Sequence, residues 1–232
     1  MNLLKELEAG IILPIYKPLQ WTSFDVVKKI KGMTRKSIPK LKIGHAGTLD
    51  PLAEGILIIC TQKMTKQVDA IHALPKTYIA KIFIGAERPS YDKETEISKL
   101  YPTEHLTEKI VIETLNSFLG TQNQIPPVYS AVKQDGKRLY LKARKGIEVE
   151  VRSREVEIYA IQLVEFNLPY IKIEVTVSKG TYIRTLAYDI GKKLNSGAYL
   201  DHLIRSQVGE YTIEQSMDID SIHNALATRE EK

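Results

Sequence analysis

The segment Gly44-His45-Ala46-Gly47-Thr48-Leu49-Asp50-Pro51-Leu52-Ala53-Glu54-Gly55 sets three glycines around one carboxylate, with a proline directly after it. The proline ring crowds the residue before it out of the helical region, so Asp50 is restrained to an extended or turn backbone, and Gly47 allows a tight path into it. That geometry presents a side chain, although the same letters also describe an ordinary Asp-Pro turn. Other chemistries are poorly provided for. The single cysteine, Cys60, rules out an internal disulfide and a cysteine-rich zinc site, and its place in the apolar run Gly55-Ile-Leu-Ile-Ile-Cys60 reads as buried structure rather than a nucleophile. His45, His72, His105, His202 and His223 show no metal-ligand spacing, and no metal is expected.

The elements that must position this turn are readable around it. Thr22 and Asp25 have capping-box spacing, Phe24, Val27 and Ile30 form a stripe, and Gly32 supplies a stop, which predicts a helix from Thr22 to Lys31. Ile56 to Cys60 predicts a fully buried strand. Thr61 to Ala73 predicts a helix with Met64, Val68 and Ile71 inward. The alternation from Thr77 to Ile84 predicts a half-buried strand, and Glu87 to Glu104 shows no clear period. Leu106, Ile110, Leu115 and Phe118 suggest a helix ended by Gly120. Residues 147–151, 156–166 and 170–177 are β-rich, and Ile183 to Leu194 returns to helical spacing beside Thr181 as a cap. Strands and helices mix without strict alternation, so the expected class is α+β, a mixed sheet with helices packed on it.

With 232 residues, 43% of them hydrophobic, the chain can bury a sizeable core. No run approaches the roughly 18 apolar residues of a membrane span, and MNLLKELEAG carries acids where a signal peptide carries bases, so a cytoplasmic protein is expected. The net charge of +5 is concentrated. No acid separates Asp25 from Asp50, where Lys28, Lys29, Lys31, Arg35, Lys36, Lys40 and Lys42 fall. A second stretch holds Lys133, Lys137, Arg138, Lys142, Arg144 and Lys145 against Asp135 alone. Either stretch by itself reads equally as a solvated face; together they point to a polyanion such as nucleic acid.

The Gly44–Gly55 segment resembles the catalytic motif of TruB-type pseudouridine synthases, G-H-x-G-x-L-D-P-x-A-x-G, at every fixed position. Further matches follow in the family's order. Gly10 to Pro18 with Trp21-Thr-Ser-Phe24 resembles the opening strand and Lys-Pro motif, and Lys76-Thr77-Tyr78 the strand carrying the active-site tyrosine. Gln124 to Lys133, Gly136 to Tyr140 and Ala143 to Gly146 resemble the central block, and Ser178 to Arg184 the motif whose arginine pairs with the catalytic aspartate. The matched stretches run from residue 10 to about residue 211.

The resemblance implies a pseudouridine synthase fold, with a largely antiparallel mixed sheet and flanking helices. It also implies a cofactor-free isomerisation of uridine 55 in the T arm of tRNA, with Asp50, Tyr78 and Arg184 catalytic. Asp50 would either add to the uracil ring or assist departure of the base from the ribose, and Arg184, permanently charged, would favour its ionised form. Tyr78 would pack against the flipped base and His45 would fill the stack it leaves. Tyr182, Leu203 and Lys17 complete the substrate contacts. Read without the family, Tyr78, Tyr182 and Leu203 are core residues, and Arg184 and His45 a surface charge and a solvated loop histidine.

The pattern departs from the family at Gly85 to Asp92, where a Thr-Asp-Thr loop is usual, and at Leu203-Ile-Arg-Ser206, where Leu-Arg-Arg-Thr is usual. Only about 20 residues follow Tyr211, so residues 1–232 are expected as one catalytic domain, with the C-terminal RNA-binding (PUA-like) domain of many relatives absent or vestigial. The expected partner is tRNA, bound by a monomer with no obligatory protein partner. An accessory role in tRNA folding is compatible with this reading. The competing ones are a guide-RNA-dependent synthase and a tRNA-folding chaperone whose activity is incidental.

Overall fold

The structure, a computed structural model, describes residues 2–127, 133–134, 137–138 and 152–227. In chain order its first elements are α1 (Leu3–Ala9), β1 (Ile12–Lys17), α2 (Ser23–Thr34), β2 (Ile43–Ala46), β3 (Ala53–Thr61), a 3-10 segment (Gln62–Gln67), α3 (Val68–Ala73) and β4 (Lys76–Ile84). There follow β5 (Ala86–Glu87), β6 (Lys99–Leu100), α4 (Glu108–Asn116), β7 (Gly120–Gln124), β8 (Lys133–Gln134), β9 (Lys137–Arg138), β10 (Arg154–Asn167) and β11 (Tyr170–Val177). The last are α5 (Ile183–Lys193), β12 (Ala198–Val208), β13 (Tyr211–Thr212), a 3-10 turn (Ile213–Gln215) and α6 (Ile219–Ala227). The β-rich segment 147–151 and most of the second basic stretch lie outside the described residues.

Two units divide the chain: residues 1–78 with 203–232, and residues 79–202. In the first, β3 is the central strand. It pairs antiparallel with β1 along its length, antiparallel with β2 over its second half, and parallel with β12 at Ala53–Gly55. Leu57 and Ile59 face the core built with α1, α2 and Ile222, whereas Ile56, Ile58 and Cys60 face a second cluster with Ala46, Ile71 and Val208. Burial on both faces explains why this strand reads as an unbroken apolar run. It also places Cys60 in the core, where burial pushes the thiol up to about 11.

In the second unit β10 lies between β7 and β11, antiparallel to both. Strand β11 alternates between buried and half-buried positions, its buried side formed by Ile171, Ile173, Val175 and Val177. On α5, Ile183, Leu186, Ala187 and Ile190 are buried at helical spacing. The mixed, mainly antiparallel strands with packed helices are the α+β class expected. Among the described residues no helix is long and apolar enough to cross a membrane.

Several local expectations change. Phe24 is 67% exposed rather than part of the buried stripe. The buried face of α2 runs Ser23, Val26, Val27, Ile30 and Thr34, and Phe24 sits about 100° around the helix from Ser23. The predicted helix 61–73 is a 3-10 segment followed by a short α-helix, because Gln62 takes φ 47° and breaks the first turn. On α4 the buried residues are Val111 and Leu115, with Ile110 at the surface. Thr181 does not cap α5: its hydroxyl donates to the Ser178 carbonyl, and Tyr182 is the N-cap.

Candidate active site

Asp50 lies on the turn between β2 and β3, exposed, with Leu49 buried beside it. The turn is closed by the Ala53 amide donating to the Asp50 carbonyl at 3.0 Å, and is tied down from outside by the start of α2. The Ser23 hydroxyl accepts from the Leu49 amide at 2.9 Å and donates to the Leu49 carbonyl at 3.3 Å, while the Gln20 amide donates to the Pro51 carbonyl at 2.7 Å. A buried hydroxyl that satisfies both backbone groups of Leu49 fixes the residue before Asp50 without touching its carboxylate.

Beneath the turn, Gly55 of β3 pairs with Lys17 of β1 on one side and Arg205 of β12 on the other. Both long side chains are buried, Lys17 at 0% and Arg205 at 1% exposure. Arg205 donates from Nε to the Ile56 carbonyl at 2.8 Å and from Nη2 to the Gly47 carbonyl at 3.1 Å, so one guanidinium holds both flanks of the Asp50 turn. Lys17 donates to the carbonyls of Pro18 at 2.9 Å and Trp21 at 2.7 Å. A third buried cation, Lys76, donates to the carbonyls of His72 and Leu74, both at 2.6 Å. Gly55 has to be glycine: its φ is 106°, and a Cβ there would lie 2.3 Å from the Arg205 carbonyl oxygen.

Burial leaves its mark on the titration of Lys17 and His45. Burial lowers the Lys17 ammonium to about 8, against the pull of Asp50 and Glu54 and with a further push from Arg205. Burial, then Arg205 and His72, lowers His45 below the usual imidazole range, so its ring is neutral at pH 7. His45 is half-buried on β2, and its Nδ1 finds no hydrogen-bond partner among the described residues. Leu203, 8% exposed on β12, pairs with Ala53, and Tyr78, also 8% exposed, lies on β4. Lys17, His45, Asp50 and Leu203 are thus gathered on strands that all pair with β3, or on the turn that leads into it.

Tyr182 and Arg184 belong to the second unit. Gln124 holds the Tyr182 backbone from both sides, accepting from its amide at 2.7 Å and donating to its carbonyl at 3.0 Å, and the Arg154 guanidinium lies 4.8 Å over its ring. Arg184 is 5% exposed in the first turn of α5, and its Nη1 donates to Asp92 Oδ2 at 3.2 Å. Asp92 sits in the loop whose sequence departs from the family pattern. Its other oxygen, Oδ1, accepts from the Glu94 amide at 2.9 Å, and the Ser90 and Thr95 hydroxyls cross-brace the loop at 2.9 Å. Tyr91 stacks on Tyr188 of α5 with ring centroids 4.2 Å apart.

Asp92, Arg205, Lys76 and Ser23 are the residues that sequence reasoning did not single out. Arg205 gave little signal, since it sits among the mixed polar and apolar residues of β12. Asp92 had none, since the polar stretch around it lacks a period. Among the described residues no group of three or more His, Cys, Asp or Glu side chains could hold a metal ion.

The architecture is shared with solved structures. An H/ACA ribonucleoprotein bound to a substrate RNA containing 2'-deoxyuridine superposes with a TM-score of 0.71 at 24% identity, covering 97% of this chain and 55% of that one. A Cbf5-Nop10-Gar1 complex gives 0.71 at 26% identity, covering 95% and 55%. This chain therefore spans little more than half the length of those structures. Residues 33–183 match the family described as TruB family pseudouridylate synthase (N terminal domain). The tRNA pseudouridine synthase B of Parabacteroides distasonis is 51% identical over 220 residues, 94% of each chain. That of Phocaeicola vulgatus is 52% identical over 223 residues, 95% of each chain, and that of Flavobacterium johnsoniae 47% identical over 220 residues, 94% of this chain and 96% of the relative. The chain belongs to the TruB family of pseudouridylate synthases.

Proposed function

We propose that Asp50 drives the conversion of uridine 55 in the T loop of tRNA to pseudouridine. Family membership gives the coarser statement directly: the chain is a tRNA pseudouridine synthase, an isomerase. The reaction breaks the glycosidic C–N bond and forms a C–C bond between the same two rings. The proton leaving the ring carbon is balanced by one gained at the freed ring nitrogen, with no net redox change or hydrolysis. A single ionised carboxylate suffices, whether it adds to the ring or assists at the ribose.

The observation that carries this reading is the contrast at the turn itself: Asp50 is exposed, while the backbone on either side of it is held by Ser23 and Arg205. An exposed, fixed carboxylate is preorganised for a substrate that must come to it, and a base inside a folded loop must be flipped out at a cost of a few kcal/mol. The neutral, flat His45 ring suits the vacated stack. Tyr78 packs against the flipped base and can pass a proton, Leu203 lines its pocket, and the family motif gives Tyr182 the role of a substrate contact and Arg184 that of a guanidinium counter-charge. Lys17, fully buried, holds the Pro18 and Trp21 carbonyls at the entry to α2 rather than RNA phosphates. In this reading the enzyme works in the cytoplasm as a monomer, without a cofactor or an obligatory protein partner.

The test is incubation with unmodified tRNA and with an isolated T-arm hairpin, followed by mapping of pseudouridine. Product at that single T-loop uridine is expected with both RNAs. Product confined to another arm, or none at all, overturns the substrate assignment.

A further inference from the structure

Phe24 is 67% exposed, and what lies around it on α2 is strongly charged. Phe24 occupies the second position of α2, and Ser23 before it is the residue whose hydroxyl grips both backbone groups of Leu49, next to Asp50. The first turn of α2, which carries Phe24, is therefore packed against the Asp50 turn. Along the helix, positions 24, 28, 31 and 35 fall on one face at spacings of four, three and four, and they read Phe24, Lys28, Lys31 and Arg35, all exposed. The only acid in α2, Asp25, accepts from the amide and hydroxyl of the Thr22 cap and stands against three cations, Lys28, Lys31 and Arg35.

A ring followed by cations at helical intervals has a specific complement. A base offers a π-face to the ring, and successive phosphates offer charge to the row. A second protein surface would need apolar area, which this face has only at Phe24. We propose that this face of α2 binds the substrate RNA strand next to the reacting uridine, with Phe24 stacking on an unpaired base of the loop and Lys28, Lys31 and Arg35 following the phosphates. Flipping one nucleotide toward Asp50 leaves its neighbour unstacked on one side, and Phe24 replaces the lost contact. The proposal rests on the RNA-modifying function above, and it adds a residue and a surface that this function does not require.

Phe24→Leu, Phe24→Trp and the triple variant Lys28→Gln/Lys31→Gln/Arg35→Gln test it on an unmodified T-arm hairpin, with melting curves to confirm folding. Leucine keeps apolar area but has no π-face, so Phe24→Leu should weaken hairpin binding about tenfold, or ~1.4 kcal/mol. Its single-turnover rate at saturation should stay within about twofold of wild type. Phe24→Trp should bind like wild type, and the emission it adds to that of Trp21 should be quenched by the hairpin. The triple variant should flatten the log–log salt dependence by roughly 2 to 3 units. Unweakened binding by Phe24→Leu, an unquenched Phe24→Trp or an unchanged salt slope each overturns the proposal. Wild-type product from the same hairpin is scored alongside, so that failure of the RNA-modifying reading is distinguished from failure of this surface.

Discussion

Asp50 and Asp92 are both loop carboxylates, one in each unit, and they are held by opposite means. Asp92 is 5% exposed, bonded to Arg184 on one side and to the Glu94 amide on the other, inside a loop braced by Ser90, Thr95 and the Tyr91–Tyr188 stack. Asp50 is exposed, and the backbone around it is fixed by Ser23 and Arg205. Direct contacts to a carboxylate determine its position and its electrostatics together, as they do for Asp92. Contacts to the neighbouring backbone help fix the position of the exposed Asp50 and leave it accessible to a reacting substrate.

The sharpest way to break the contrast is on the Asp92 side. Arg184→Met leaves a buried carboxylate without its guanidinium and should cost about 3 to 5 kcal/mol of stability, read by urea unfolding. Asp92→Asn, which keeps shape and part of the hydrogen bonding, should cost less. Equal and small losses from both would mean that the buried pair is not what holds this loop.

A smaller effect is expected under the Asp50 turn. Gly55→Ala forces a Cβ against the Arg205 carbonyl at a positive φ and should destabilise by roughly 3 kcal/mol. Gly32→Ala, where the added Cβ meets nothing within 4 Å, should be neutral or slightly stabilising. Their difference in melting temperature measures how tightly β3 and β12 close beneath Asp50.

The smallest effect is a pH dependence. Lys17 has its folded pKa lowered to about 8 from an ordinary 10.5, so between these values the unfolded chain holds a proton that the folded protein has released. Stability attributable to Lys17 must then rise with pH across that window, and the penalty for burying its charge is fully present below about 8. The neutral amine still has two N–H groups for the Pro18 and Trp21 carbonyls. Urea unfolding between pH 7.5 and 10 should show wild type gaining on Lys17→Met as pH rises. Parallel curves would show that Lys17 stays charged in its buried position.

Much of the first unit was legible because its signals are local. The Thr22–Asp25 spacing gives the capping box, the apolar run gives β3, and Pro51 with its glycines gives the turn. What was not legible depends on partners distant in sequence. Arg205 and Gly47 are 158 residues apart, and Arg184 and Asp92 are 92 apart, so no spacing within either segment announces the contact. Phe24 failed for a different reason: an aromatic at near-helical spacing from Val27 and Ile30 is normally core, and only the actual centre of the buried face, at Ser23 and Val27, shows otherwise. Strand β12 was missed because its apolar residues are interrupted by Asp201, His202, Arg205 and Ser206, and the burial of Arg205 depends on the carbonyls it meets.

The most direct test of the central claim is single turnover by Asp50→Asn with excess enzyme and an unmodified T-arm hairpin. The substitution keeps the side chain's size at an exposed position, so folding and hairpin affinity should match wild type within about twofold, because the turn is held through backbone groups. Pseudouridine formation should fall by at least about a thousandfold, roughly 4 kcal/mol of transition-state stabilisation. Turnover within about tenfold of wild type would contradict the account and remove Asp50 from the chemistry.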